Sequence, residues 1–222
     1  MSIRLEPVRS NDLRPIREIV YEELRKAIFD GRIKKGEHLV ESIIGEKMEV
    51  SRTPVREALR QLEAEGLVSN VPRRGAIVQG ITKEDAVEIY DLREVLEGLV
   101  VRLSCKNITD EDIIKLKDIL KKMEETISKK DDESYLNIHG DFNNIIFNRA
   151  NSKRLQSMMT NIYDYLASLR SISLQKEDRR ISALEEHRQI VYALEKRDEE
   201  AVEKLAREHV RKAKEAFLKN LI

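Results

Sequence analysis

The stretch Ser51-Arg52-Thr53-Pro54-Val55-Arg56-Glu57-Ala58-Leu59-Arg60-Gln61-Leu62-Glu63 decides the fold. Ser51 and Thr53 can each cap a helix N-terminus, and Pro54 then falls in the first turn, where its missing N–H does least harm. Val55, Leu59 and Leu62 recur at i, i+4 and i+7 and form one apolar edge. Arg52, Arg56 and Arg60 recur at i, i+4 and i+8 and form a separate basic edge. The spacing predicts a helix that docks by one side and offers guanidinium groups on the other. Residues near the start of such a helix reach base edges in a DNA major groove. Taken alone, the stretch reads equally well as a surface helix with three solvated arginines.

The flanking sequence decides between these readings. Upstream, Ile16, Ile19, Val20, Leu24, Ala27 and Ile28 mark an amphipathic helix that stops near Gly31. Arg32–Val40 reads as a connector, in which the isolated His38 is structural or solvated. Ile43, Ile44 and Met48 suggest a short second helix, and a tight turn at Glu49–Val50 leads into the arginine helix. Helix, short helix, turn and recognition helix is the helix-turn-helix order. Downstream, Leu67–Val71 and Ala76–Val78 are short β-prone runs that flank Pro72-Arg73-Arg74-Gly75. They predict a hairpin, a wing, with Arg73 and Arg74 at a tip able to meet phosphate or enter a minor groove.

Composition narrows the class without naming a partner. In 222 residues, 37% are charged and 5% aromatic, with 8 Gly and 4 Pro, which points to a mainly α chain. The 41 basic and 41 acidic residues cancel, and residues 1–80 hold 15 Lys and Arg against 13 Asp and Glu. A basic surface must therefore come from placement rather than excess. The single cysteine, Cys105, excludes an intrachain disulfide and fits a reducing compartment. On its helix it reads as a packing residue rather than a redox sensor. The start carries no signal-peptide core, and no run approaches the roughly 18 apolar residues of a membrane span. A cytoplasmic protein is expected.

Residues 14–80 resemble the winged helix of the GntR family of bacterial transcription regulators. The resemblance is carried by Val50-Ser51-Arg52-Thr53-Pro54-Val55-Arg56-Glu57-Ala58-Leu59, Leu62, Glu65-Gly66-Leu67-Val68 and Arg73-Arg74-Gly75. It implies that Arg52, Thr53 and Arg56 contact an operator and that Gly75 lets the wing approach the DNA backbone closely. Ser42 departs from the pattern, standing where some relatives carry a DNA-contacting arginine.

From Thr82 the character changes, and we place a boundary at 80/81. Thr82-Lys83-Glu84-Asp85 reads as a helix start, with Asp85 as the capping acid. Six helices are expected, over 83–105, 110–129, 131–149, 152–174, 179–196 and 198–219, packed as an antiparallel bundle. Four polar residues fall on apolar stripes. Arg93 shares one with Ala86, Ile89, Leu96 and Val100, so it needs an anion, either Glu97 at i+4 or a bound carboxylate held bidentately. His139 lies with Tyr135, Phe142 and Ile146, His187 with Leu184, Ile190 and Val191, and His209 with Val202, Leu205 and Ala206. Each alone reads as a hydrogen-bonded core residue. Three turned inward from different helices also make a site for zinc, nickel or another borderline cation.

Residues 83–220 resemble the FCD effector-binding domain of the FadR-like branch of GntR regulators. The match rests on Glu88 through Gly98, Asp141-Phe142-Asn143, Glu186-His187-Arg188-Gln189-Ile190 and His209. His187 and His209 are 22 residues apart, as in that branch's metal-binding members. Those members carry an Asp and a His four residues apart on an earlier helix; here His139 and Asn143 hold these places. The resemblance implies a divalent metal on His139, His187 and His209, with Asn143 a weaker fourth candidate. It also implies a small carboxylate effector on the open coordination position, with Arg93 as second anchor.

Together these readings predict a ligand-responsive regulator, with repression as the expected output, that binds a palindromic operator in double-stranded DNA as a homodimer. Two alternatives use the same histidines: a metal-dependent hydrolase, and a helical interaction module with a purely structural metal.

Overall fold

The computed structural model describes residues 5–8, 12–71, 75–80, 82–173 and 177–220. The chain divides into two compact units, Met1–Asp85 and Ala86–Ile222.

The first unit holds α1 (Ile16–Phe29), β1 (His38–Leu39), α2 (Glu41–Met48), α3 (Arg52–Ala64), β2 (Val68–Val71) and β3 (Gly75–Val78). α3 buries Val55, Ala58, Leu59 and Leu62, largely against α1, whose Val20, Leu24 and Ala27 are fully buried. Ser51 occupies the N-cap position of α3 but makes no side-chain capping bond, and Thr53 lies inside the helix. In α2, Ile44 and Met48 are buried while Ile43 is 46% exposed, so the expected apolar trio is a pair. Glu49 ends α2 in the left-handed region (φ 57°), which produces the tight turn. Arg25 donates to Glu65 at 3.0 Å, and the Tyr21 hydroxyl bonds the same carboxylate, tying α1 to the end of α3.

The wing is a three-stranded antiparallel sheet in the order β1-β3-β2. The hairpin pairs Val68 with Val78 and Val71 with Gly75. The connector expected at 32–40 contributes β1, which pairs His38 with Ile77 and Leu39 with Ala76. Gly75 sits at φ +91°, and a Cβ there would lie 2.1 Å from the Leu39 carbonyl oxygen. The glycine thus has a reason internal to the fold: only a residue without Cβ lets β3 lie against β1 at this point.

The second unit holds most of α4 (Lys83–Cys105), then α5 (Asp110–Lys129), α6 (Asp132–Arg149), α7 (Lys153–Ser173), α8 (Glu177–Glu195) and α9 (Glu199–Asn220). Thr82 and Asp85 form the expected reciprocal cap, with Asp85 N–H donating to Thr82 Oγ1 at 3.1 Å and Thr82 N–H to Asp85 Oδ2 at 2.8 Å. An unanticipated second capping box, Thr109 with Asp112, starts α5. Ion pairs give the helix directions. Asp91, Glu94 and Arg102 on α4, and Lys106 just beyond its end, meet Lys214, Arg211, Glu203 and Glu199 on α9, in reverse order. Lys117 and Glu124 on α5 meet Glu195 and Arg188 on α8, again reversed. Such exposed pairs add little stability each, but they report antiparallel packing. The core joins Leu116, Met123, Phe142, Ile146, Leu194 and Val202, and Cys105 is part of it. Burial pushes the Cys105 thiol pKa up, as befits a packing residue. No helix among the described residues is long and apolar enough to cross a membrane.

Candidate nucleic-acid interface and metal centre

In the first unit, α2, α3 and the wing enclose a groove of about 580 Å³, lined among others by Glu41, Ser42, Arg52, Arg56, Arg60 and Gly75. Arg52, Thr53, Arg56 and Arg60 are exposed, because the apolar edge of α3 is turned inward against α1, α2 and β2. The groove is thus basic although the unit as a whole is nearly neutral. Arg56 is not a solitary cation. Its Nε donates to Glu41 Oε1 at 2.9 Å and its Nη2 to Glu41 Oε2 at 2.8 Å. Hydrogen bonding from Arg56 holds the Glu41 carboxyl below its usual range, burial opposes, and the charges of Arg52 and Arg60 add to the effect. Glu41 was not anticipated as part of this surface. Arg73 and Arg74, expected at the wing tip, lie outside the described residues.

In the second unit, α6, α8 and α9 bring His139, His187 and His209 together. All three are buried, and each offers a ring nitrogen within 4.8 Å of the other two. Ring centroids are 5.0 Å apart for His139 and His187 and 4.6 Å for His187 and His209. Phe142 covers His187 at 4.6 Å. Nitrogens sharing a tetrahedral ion at 2.0–2.1 Å stand about 3.4 Å apart, so small side-chain rotations suffice to close on one.

The protonation states suit coordination. Burial above all, helped by His209, pushes the His187 pKa well below the usual value. Burial also pushes His209 down to about 3, with Glu97 opposing and Arg93 and Arg179 reinforcing. Neutral imidazoles are the ligand form. His209 Nδ1 lies 2.7 Å from Glu186 Oε2, and with the ring neutral this is an Nδ1–H donated to the carboxylate. That bond leaves Nε2 as the coordinating nitrogen, the usual outer-shell arrangement of a metal-binding histidine. Glu186 is in turn gripped by both terminal nitrogens of Arg179 at 3.0–3.1 Å. Among the described residues, the buried His187 Nδ1 has no hydrogen-bond partner, an orphan that an ion would satisfy. On these grounds the residues fit a divalent transition metal.

Asn143 stands one turn after His139, its amide 3.4 Å from His139 Nδ1. The atom facing the ring is the amide nitrogen Nδ2, a donor, so Nδ1 accepts in this arrangement; exchanging the amide O and N would let the carbonyl accept from Nδ1–H and free Nε2 to coordinate. Arg93 pairs with Glu97, Nε to Oε2 at 2.7 Å, and both are buried. Of the two anions weighed for Arg93, the internal carboxylate is therefore present. Tyr163 also donates to Glu97 at 2.8 Å. Burial works against the charged Arg93, but Glu97 outweighs it and raises its pKa; burial likewise opposes Glu97, which Arg93 and then His209 hold below the usual carboxylate range. The buried stripe of α4 runs through Ala86, Tyr90, Arg93, Glu97 and Val101, with Ile89 and Leu96 only half-buried beside it. Glu186 is the residue of this centre that sequence reading passed over, although it adjoins His187. His38 is exposed and belongs to the first unit.

Comparison with known proteins supplies the family. Residues 16–78 match the model of the bacterial regulatory proteins of the gntR family, and residues 88–212 match the FCD domain. The chain is 30% identical over 191 residues to the uncharacterized HTH-type transcriptional regulator YdhC of Bacillus subtilis, covering 86% of this chain and 84% of that one. It is 26% identical over 206 residues to the HTH-type transcriptional repressor RspR of Escherichia coli, covering 93% and 90%. The structure of Escherichia coli McbR/YncC has the same fold, with a TM-score of 0.69 and 23% identity, over 95% of this chain and 100% of that one. These similar proteins are transcription regulators, not the hydrolases of the alternative reading. A winged helix with a basic groove and a helical unit with a histidine centre thus sit in one chain, which belongs to the GntR family of bacterial DNA-binding transcription regulators and carries an FCD domain.

Proposed function

We propose that this regulator is a metal-dependent repressor, acting in the cytoplasm as a homodimer on a palindromic operator and responding to a small carboxylate. Residues 1–80 are assigned to operator binding and 81–222 to dimerisation and sensing. Arg52, Thr53 and Arg56 read the operator, with Arg73, Arg74 and Gly75 of the wing alongside. A symmetric dimer requires two half-sites at a spacing fixed by its geometry. Repression is favoured because RspR bears that name.

The observation that carries the sensing half is the meeting of three buried histidine nitrogens within 4.8 Å, each from a different helix. His139, His187 and His209 would hold zinc or nickel, with Asn143 beside them. The bound ion would supply an open position for a carboxylate oxygen. Arg93, already anchored on Glu97, would steady the second end of the ligand. The carboxylate shifts operator affinity only insofar as it binds one arrangement of the dimer more tightly than another.

Elemental analysis after exhaustive dialysis, followed by operator titration with and without a panel of small carboxylates, tests this reading. We expect one metal per chain in the wild type, its loss in His187→Ala, and a carboxylate effect that requires the metal. A metal-free wild-type protein would remove the sensing proposal. Metal present, with a lower melting temperature on its removal but no carboxylate effect, would assign it a structural part only.

A further inference from the structure

Among the described residues that line the groove of the first unit, three arginines face one acid. An acid is an unexpected lining for a surface that meets phosphates. Glu41 opens α2, where a carboxylate is favoured by the helix dipole in any case. That account asks nothing of Arg56, which begins the second turn of another helix. Yet Glu41 grips Arg56 through both carboxylate oxygens, with its own side chain one-quarter exposed.

The edge used matters. Glu41 takes Nε and one N–H of Nη2, so the Nη1–Nη2 end of the guanidinium keeps a parallel pair of donors. That pair is the one able to meet O6 and N7 of a guanine. The flexible arginine stem is held in one orientation before DNA arrives, so less freedom is lost on binding. At the same time the carboxylate cancels the charge that would make Arg56 an indiscriminate phosphate ligand.

We propose that Glu41 is a positioning residue that commits Arg56 to reading a base and withholds it from the phosphate backbone. The proposal rests on the reading of Arg56 as an operator contact given above. It assigns to one acid two opposite effects: stronger specific binding and weaker binding to random sequence.

The test uses the full-length protein, a duplex operator selected by the wild type from a random pool, and a scrambled duplex of the same length. Affinities for both are measured across a salt series for the wild type, Glu41→Gln, Arg56→Ala and the double variant. Glu41 is a surface residue, so Glu41→Gln is expected to fold, and circular dichroism confirms it. We expect Glu41→Gln to lower the ratio of specific to random affinity at least tenfold. Its random-duplex affinity should rise, and its salt slope should steepen by about 0.9 per protomer, as for one more phosphate neutralised. Base preference should relax at one position of each half-site, and Glu41→Gln should have no further effect once Arg56 is alanine. If Arg56→Ala weakens operator binding while Glu41→Gln leaves the affinity ratio and the salt slope unchanged, the positioning role is overturned and the operator contact stands. If Arg56→Ala leaves operator binding unchanged, the operator contact itself falls, and the positioning role with it.

Discussion

Replacing Gly75 by alanine separates two explanations of the same residue. Family resemblance assigns the glycine to DNA approach, whereas the fold places the Leu39 carbonyl oxygen where a Cβ would go. The magnitude follows from two contributions. A φ of +91° costs an L-residue roughly 1–2 kcal/mol relative to glycine. The Cβ would also stand 2.1 Å from a backbone oxygen, which cannot rotate away, so β1 must move off β3 by about 1 Å. That movement strains the Gly36 N–H to Val78 oxygen bond (2.8 Å) and the Val78 N–H to Glu37 oxygen bond (3.0 Å) that frame the pairing. At about 1 kcal/mol net for each hydrogen bond lost, the total reaches roughly 3–4 kcal/mol. Against a typical domain stability of about 5–15 kcal/mol, this is severe but not uniformly fatal. Hydrogen exchange measured by mass spectrometry on the full-length protein without DNA is the direct assay. We expect faster exchange across residues 36–39 and 75–78 in Gly75→Ala, and a lower melting temperature for the first unit. Wild-type exchange and melting, combined with lost operator binding, would refute this reasoning and return the glycine to the DNA interface.

Arg52→Ala and Arg56→Ala should each weaken specific operator binding by roughly 1–3 kcal/mol, read by fluorescence anisotropy. His187→Ala should abolish stoichiometric metal, and in the wild type added zinc should raise the melting temperature with concentration. In the metal-free protein, His209 is neutral in the fold down to about pH 3 but protonates near 6.5 when unfolded, so acid favours the unfolded chain. Stability of the bundle should therefore fall as pH drops through that window, by an amount on the order of a few kcal/mol, and His209→Gln should flatten the dependence in urea titrations. Asp112 is pushed upward by burial, but Arg149 and the Thr109 cap hold its carboxyl down to about 2. Its contribution of about 2 kcal/mol is present above pH 4 and lost as pH falls toward 2, and Asp112→Ala should remove it at neutral pH.

The parts of the molecule that follow local periodicity were legible from sequence. The helices of the second unit lie within two residues of the expected spans, because charged breaks and capping residues such as Thr82 with Asp85 mark their ends. The convergence of His139, His187 and His209 was legible from the stripes they share with core residues. Pairings between distant segments were not. β1 is two residues long, and only its partner β3, nearly forty positions later, makes it a strand. The Arg56–Glu41 pair spans the helix-turn-helix, and the His209–Glu186 bond joins two helices, so neither follows from one helix's own spacing. Ile43 misled in the other direction: its position within an apolar trio says nothing of the one face of α2 that packs.

The three imidazoles are almost wholly enclosed, His187 with 1% of its surface accessible. Any ion reaching them must wait for the helices to part, and must wait again to leave. Entry and escape would then share one gate, and opening of the bundle would add its own slow step to the breaking of the nitrogen bonds. A chelator would strip such a centre slowly however tightly it binds, and the regulator would keep a record of past metal supply longer than equilibrium affinity alone implies.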